Sequence, residues 1–319
     1  MMIFSNFMKK DKEILKELIL TEKLRELALS NIFSVDTFKK YFPLWKKEIL
    51  KITGNDINKI TEDKIISLGE NLRKIFKSTS TKKRGQSDVS GGGAAWECLC
   101  TWYLNLLLAN TRGIVFKYSK PIFPKAITDS ITIMYNNFEN LSETDLLGFV
   151  FPNNVNFINK KCVNEKEAIS EFDNFVNSDY NKFEVCILQC KTNWNDNAQV
   201  PFLYNLLYEL GSANNVKIGK NHRNTKAYKK FSYSFLTLPT QQIETIDKMN
   251  SSSVAVQRVR NLTGGNYWGL RSKNEVAYSL DECINHNFIN AYDNSDIRKK
   301  IKENILLLKT DLKYFKLFD

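Results

Sequence analysis

The chain has 319 residues, with 46 Lys and Arg against 35 Asp and Glu, a formal charge of +11. Hydrophobic residues make up 43% and aromatics 12%, enough to bury a real core, which argues against a mainly disordered chain. No apolar run approaches the roughly 18 uncharged residues that a membrane helix needs, and six Pro and thirteen Gly argue against collagen-like or low-complexity architecture.

At the N-terminus, the apolar part of Met1 to Met8 precedes Lys9 and Lys10 without a small-residue cleavage site. That is the reverse of a signal peptide, so a cytoplasmic chain with no membrane partner is expected. Residues 11–29 carry Ile14, Leu15, Leu18, Ile19, Leu24 and Leu27 at close to a 3.6-residue period and read as a helix. Asp36 stands where it can cap a second helix through Phe38, Phe42, Trp45 and Ile49, interrupted or kinked at Pro43. Thr61-Glu62-Asp63 opens a third helix that ends near Lys77. The polar segment from Ser78 to Gly93, with Lys82-Lys83-Arg84 and Gly91-Gly92-Gly93, is the strongest punctuation: a linker or a ligand-facing loop. Residues 1–80 are therefore expected to form a helical N-terminal region, and residues 81–319 a further domain.

Past this segment the pattern changes. Residues 94–109 are apolar almost all round, which predicts a buried helix. Short strands are expected at 113–118, 146–151, 183–189 and 231–238. Helices are expected at 165–176, 199–210, 253–262 and, at the end, 294–318. Strands alternating with helices predict an α/β fold, a mixed sheet of roughly five or six strands flanked by helices, with the helical N-terminal region beside it. The six Cys read as small buried hydrophobes of a reducing compartment. The only two His, His222 and His286, lack the spacing of a zinc module.

Three pieces of this chain can meet. Gln189 and Lys191 project to one face of their strand, because side chains alternate. Asp145 stands where a polar loop enters another strand. Glu97, among Trp96, Leu99 and Trp102, is costly to bury unless paired or metal-bound. Asp145 and the Gln189 amide oxygen would hold Mg²⁺, a hard cation that takes oxygen ligands. The metal would polarise a phosphodiester and lower the pKa of a bound water. Lys191 would orient or activate that water and offset transition-state charge, with Glu97 binding the metal indirectly or holding Lys191. Asp179 is the competing acid, nearer to Gln189 in sequence but in a turn. The plain alternatives are a solvated strand end for Gln189 and Lys191, and a salt bridge from Glu97 to Arg112 or Lys117. Three glycines before a buried helix would also allow backbone to approach a phosphate at the helix N-terminus.

These residues carry a resemblance. Asp145 at a strand start, followed by Gln189-Cys190-Lys191, is similar to the PD-(D/E)xK nuclease superfamily in the variant where Gln replaces the second acid. The runs Gly91 to Glu97, Leu188 to Asp196 and Gly264 to Gly269 resemble type II restriction endonucleases over roughly residues 90–270. The resemblance implies a restriction-endonuclease-like core and Mg²⁺-dependent cleavage of double-stranded DNA to 5′-phosphate and 3′-hydroxyl ends. It also implies a restriction–modification system with a cognate DNA methyltransferase. Two departures stand out: Thr144, not Pro, precedes Asp145, and 44 residues (189 − 145) separate Asp145 from Gln189, so residues 152–182 would be an insertion.

Lys82, Lys83, Arg84, Asn193, Asn195, Lys220, Arg223, Arg258, Arg260, Asn266 and Tyr267 are the candidate DNA contacts. Asn and Arg can read base edges and Lys can meet phosphates, although a solvated basic loop is the plain alternative. A symmetric DNA site would favour a homodimer. The expectation is thus a type II restriction endonuclease. The alternatives are a nucleic-acid-binding protein whose nuclease site has decayed, Gln189 marking the lost acid, and an interaction protein working through its N-terminal helices.

Overall fold

The computed structural model describes residues 18–79, 86–119, 122–141, 143–193, 198–239, 248–273 and 275–318. Residues 11–17 of the first expected helix, the candidate contacts Lys82, Lys83 and Arg84, and Asn195 lie outside the described residues. In chain order the first elements are β1 (Leu18–Ile19), α1 (Leu20–Ser34), α2 (Asp36–Thr53), α3 (Glu62–Lys77) and α4 (Gln86–Leu107). Then come β2 (Gly113–Lys117), α5 (Lys125–Ile131), β3 (Thr132–Tyr135), β4 (Phe138–Leu141), β5 (Leu146–Val150), α6 (Val155–Ile158), β6 (Lys161–Cys162) and α7 (Glu165–Asp179). The chain continues through β7 (Glu184–Lys191), α8 (Gln199–Leu210), β8 (Ser212–Ala213), β9 (Val216–Ile218) and β10 (Lys230–Thr237). It closes with α9 (Val254–Arg260), β11 (Asn266–Tyr267), α10 (Leu280–Phe288) and α11 (Ile297–Ile305).

The fold is α/β, with a helical N-terminal region and a mixed five-stranded sheet in the order β11-β10-β7-β5-β2. β2, β5 and β7 are antiparallel neighbours, whereas β10 and β11 run parallel to β7 and to each other. The β7 sequence Glu-Val-Cys-Ile-Leu-Gln-Cys-Lys is buried at every position but the last, as a central strand covered on both faces must be. A second sheet, ordered β4-β3-β9-β8, is antiparallel, and β1 pairs with β6.

Alternation divides the core. Val115, Leu146, Cys186, Leu188, Cys190 and Leu236 face α4 and join a cluster with Trp96, Leu99 and Trp102. Ile114, Phe116, Leu147, Phe149, Ile187 and Tyr233 face the other way and meet Phe172 of α7 and Tyr208 of α8. The intervening segment after β5 thus supplies a cover for one face of the sheet. Trp45, Leu72 and Phe76 of the N-terminal helices belong to the same cluster as α4, with Phe42 against Trp102 and Phe76 against Trp96 at 5.6 Å between ring centroids.

Several boundaries differ from expectation. α4 begins at Gln86, so Gly91-Gly92-Gly93 lie inside the helix rather than before it, and Glu97 is about three turns in rather than one. Burial against the sheet and the N-terminal helices supplies stability that glycine propensity withholds. Asp36 is the first residue of α2 rather than its cap: Val35 holds that position without a side-chain bond, and the helix runs on through Pro43. Thr61 does cap α3, its hydroxyl accepting from the Lys64 amide at 3.4 Å. The expected terminal helix is shorter, because after Ile305 the chain breaks into 3-10 turns that return Leu308, Leu312 and Phe315 to the core. All six cysteines are free and buried. Among the described residues no helix is long and apolar enough to cross a membrane.

Candidate active site

The site forms at the C-terminal end of β7. Leu146 pairs with Leu188 in the antiparallel register of β5 and β7. Carried one and three residues further, that register sets Asp145 opposite Gln189 and Glu143 opposite Lys191. Asp145 Oδ2 accepts a hydrogen bond from the Cys190 amide at 2.6 Å. Glu143 Oε2 accepts from Gln189 Nε2 at 3.0 Å and from Lys191 Nζ at 2.5 Å. The fully buried Gln189 turns its amide oxygen to the Tyr233 hydroxyl, 3.1 Å away, which also lies 3.0 Å from the Glu143 carbonyl. Tyr204 of α8 stacks over Tyr233 with ring planes 4° apart.

On the α4 face, Lys117 at the end of β2 makes a close ion pair with Glu97. Of the roles open to Glu97, the pairing with Lys117 is the one formed. Lys191 is taken by Glu143, and Arg112 bonds Asp293 at 2.6 Å instead. The reason is geometric. Lys117 shares the Leu146–Leu188 rung and so faces α4, whereas Lys191 leaves the opposite face of its strand.

The electrostatics follow from this arrangement. Burial, then the nearby Glu97 charge, pushes the Asp145 carboxyl up to about 6, against the pull of the Cys190 amide and Lys191. The Lys191 bond is the main influence holding Glu143 below the ordinary carboxylate range. Burial works against the Lys191 charge, but the Glu143 bond and the Asp145 charge outweigh it and leave Lys191 above its ordinary value. Lys191 is therefore an ammonium at neutral pH. In that form it can donate hydrogen bonds but has no lone pair with which to take up a proton.

Asp179 does not compete with Asp145. It ends α7, pairs with Lys182 at 2.7 Å and sits at the start of β7, the far end of a strand about 23 Å long from Lys191. Lys220 and Arg223 lie toward that far end too. Lys220 is held by Glu139 at 2.7 Å and by Asp129, and Arg223 covers the Tyr180 ring at 4.8 Å. Asn266 shares the rung of Gln189 and Phe235, two strands away, and Arg258 and Arg260 end the neighbouring α9. Tyr267 corrects the expectation of a DNA contact: its ring is fully buried and its hydroxyl donates to the Gly69 carbonyl, so it ties β11 to α3. Asn193 follows Lys191 and is exposed.

The donor set fits a hard divalent cation held by few protein ligands. Asp145 is a carboxylate destabilised by burial and by a like charge, which a cation would relieve, and the oxygen of Gln189, the residue on the facing rung, keeps a second lone pair beside its bond to Tyr233. Among the described residues no three His, Cys, Asp or Glu side chains gather into a cage. Mg²⁺ does not require one, since it commonly keeps several waters beside one or two carboxylates and substrate phosphates.

Sequence reasoning missed two members of the network, Glu143 and the Tyr233 hydroxyl, whereas Lys117 was one of the two bases expected to pair with Glu97. A signal for Glu143 existed, since it stands two residues before Asp145 and therefore on the same side of an extended chain. No known protein family matches the chain, and no curated protein matches it in sequence.

Proposed function

We propose that the chain is a Mg²⁺-dependent type II restriction endonuclease that hydrolyses phosphodiester bonds of double-stranded DNA. One observation carries this reading: Asp145, 44 residues before Gln189 (189 − 145), meets Gln189 and Lys191 at one end of the central sheet, with Glu143 fixing the last two. Asp145 and the Gln189 oxygen are the groups that would hold the cation, which when bound supplies the charge that polarises a phosphodiester and acidifies a water.

The chain's own groups do the positioning. Glu143 anchors Lys191 through one N–H, leaving two ammonium donors for an attacking water and for oxygens that gain charge in the transition state. Tyr233 and Glu143 grip the two ends of the Gln189 amide, which fixes its orientation. Placement in a restriction–modification system, with a cytoplasmic setting and a cognate methyltransferase, belongs to the same proposal.

The test is incubation of the purified protein with phage DNA, with Mg²⁺ or with EDTA, read on a gel. Discrete fragments only with metal are expected, and Asp145→Ala and Lys191→Ala should each slow cutting at least a hundredfold. Cutting by either variant at the parent rate would overturn the assignment of the site. A second reading, DNA binding with a decayed nuclease site, draws on the closed network around Gln189, whose amide is bonded at both ends. It predicts DNA retained in a mobility shift, no cleavage, and no Ca²⁺ affinity lost in Asp145→Asn.

A further inference from the structure

A cavity of about 680 Å³ opens beside β11, lined among others by Arg260, Asn266, Arg271, Tyr278, Glu275 and His286. Its volume lies in the range of small-ligand sites. Three observations define what it would take. Asn266 is 1% exposed, its amide nitrogen donates to the Val259 and Val276 carbonyls at 3.3 Å, and its amide oxygen has no partner. Those two donations fix which end of the amide is oxygen, so what remains is a buried acceptor without a partner at the cavity wall.

Beside it the Tyr278 ring is held flat. It stacks on His286 at 5.8 Å and 22°, and it lies against Gly265, where a Cβ would come within 2.4 Å of the ring. Gly265 also has φ +74°, so both the close approach and the backbone require glycine there. At the rim, Arg260 reaches Glu275 only at 3.6 Å and Arg271 reaches Glu70 at 3.2 Å. Exposed single contacts of this kind are worth little, whereas a phosphate offers guanidinium a bidentate partner. The N-terminus of α10 is not the anion site, because Ser279 and Glu282 close it with a capping box.

A buried acceptor, a flat aromatic platform and two guanidinium groups together match one chemical class. We propose that this cavity binds a nucleotide whose base donates an N–H to Asn266, lies by Tyr278 and His286, and sends its phosphate to Arg260 and Arg271. The ligand is a free nucleoside monophosphate or an unpaired nucleotide of a DNA strand. Asn266 shares a rung with Gln189 two strands away, about 10 Å at the usual strand spacing, so an unpaired nucleotide here would lie close to the proposed cleavage site. Only the DNA source rests on the nuclease reading.

The test titrates the full chain with dAMP and with purine deoxyriboside monophosphate, which lacks the amine, and measures binding of a duplex bearing one unpaired adenine against its fully paired counterpart. Saturable dAMP binding is expected, weakened at least tenfold in the analogue and in the Arg260→Gln/Arg271→Gln double variant, whose unchanged thermal melting shows that it folds. A bulged duplex bound at least tenfold tighter than the paired one, with dAMP competing, assigns the site to a DNA strand. Equal duplex affinities with dAMP bound assign it to free nucleotide. The proposal is overturned if dAMP fails to bind and the duplexes behave alike, or if neither the analogue nor the double variant weakens dAMP binding. Asp145 plays no part in this site. Uncut phage DNA with dAMP still bound would therefore remove the nuclease and keep the pocket, and cut DNA with no nucleotide affinity would do the reverse.

Discussion

Asp145 is held in a state that disfavours its own charge. Its carboxyl stands at about 6 in the fold against an ordinary 3.8, so the folded protein keeps a proton that the unfolded chain gives up sooner. For an acid raised in this way, stability is full below about pH 4, falls as pH rises towards 6 and stays lower above it. Without metal, Asp145→Asn is expected to stabilise the protein by about 1–3 kcal/mol at pH 7.5 and to change little at pH 4, since Asn still offers an oxygen to the Cys190 amide. Melting curves at the two pH values check this; an equal shift at both would show that charge is not the cause. Glu143 has a separate signature. Glu143→Gln removes the carboxylate that raises Lys191, so the Lys191 titration should move to lower pH, followed by the ¹³Cε shift of labelled lysine.

At the scale of elements, α4 is the unusual one, a 22-residue helix with three glycines in a row. A Cβ at Gly93 would meet nothing within 4 Å. Gly93→Ala is therefore expected to add about 0.5–1 kcal/mol, through helix propensity and a less flexible unfolded chain, seen as a higher urea midpoint at unchanged slope. Gly69 in α3 should behave oppositely. Its Cβ would come 2.9 Å from the Tyr103 hydroxyl, which bonds the Ile65 and Ile66 carbonyls, so Gly69→Ala should lower the same midpoint. Periodicity made these helices legible, and α8 matches its expected bounds. Where packing replaced local preference, periodicity failed: α4 runs back through glycines, and Leu18 and Ile19, expected within the first helix, pair with β6 instead.

At the scale of the molecule, a buried ion pair joins the parts. Arg25 of α1, fully buried, bonds Glu22, the Asn105 side chain of α4 at 3.1 Å and the Thr111 carbonyl at 3.3 Å, while Glu22 also accepts from the Asn110 amide and Tyr314 near the C-terminus. Removing one partner strands a buried charge, so Arg25→Ala should cost about 3–5 kcal/mol by chemical denaturation. A fragment beginning at residue 81 should not give a cooperative melt by circular dichroism. The helices it lacks bury Trp96 and Trp102, and the Trp102 ring nitrogen in turn holds the Phe315 carbonyl at 3.0 Å.

By itself the amino-acid order determined the α/β class, the positions of the principal strands and the same-face spacing of Gln189 and Lys191, because each rests on local periodicity. It also favoured Asp145 over Asp179, since one acid stands at a strand start. Only the tertiary structure decided the rest: that Glu97 belongs to Lys117, that Glu143 and Tyr233 grip Gln189, that Tyr267 is core, and that Lys220 lies at the far end of the sheet. Those facts depend on strand order and register, on which chain segments come to lie side by side. Pairings across tens or hundreds of residues leave no period for a sequence to display.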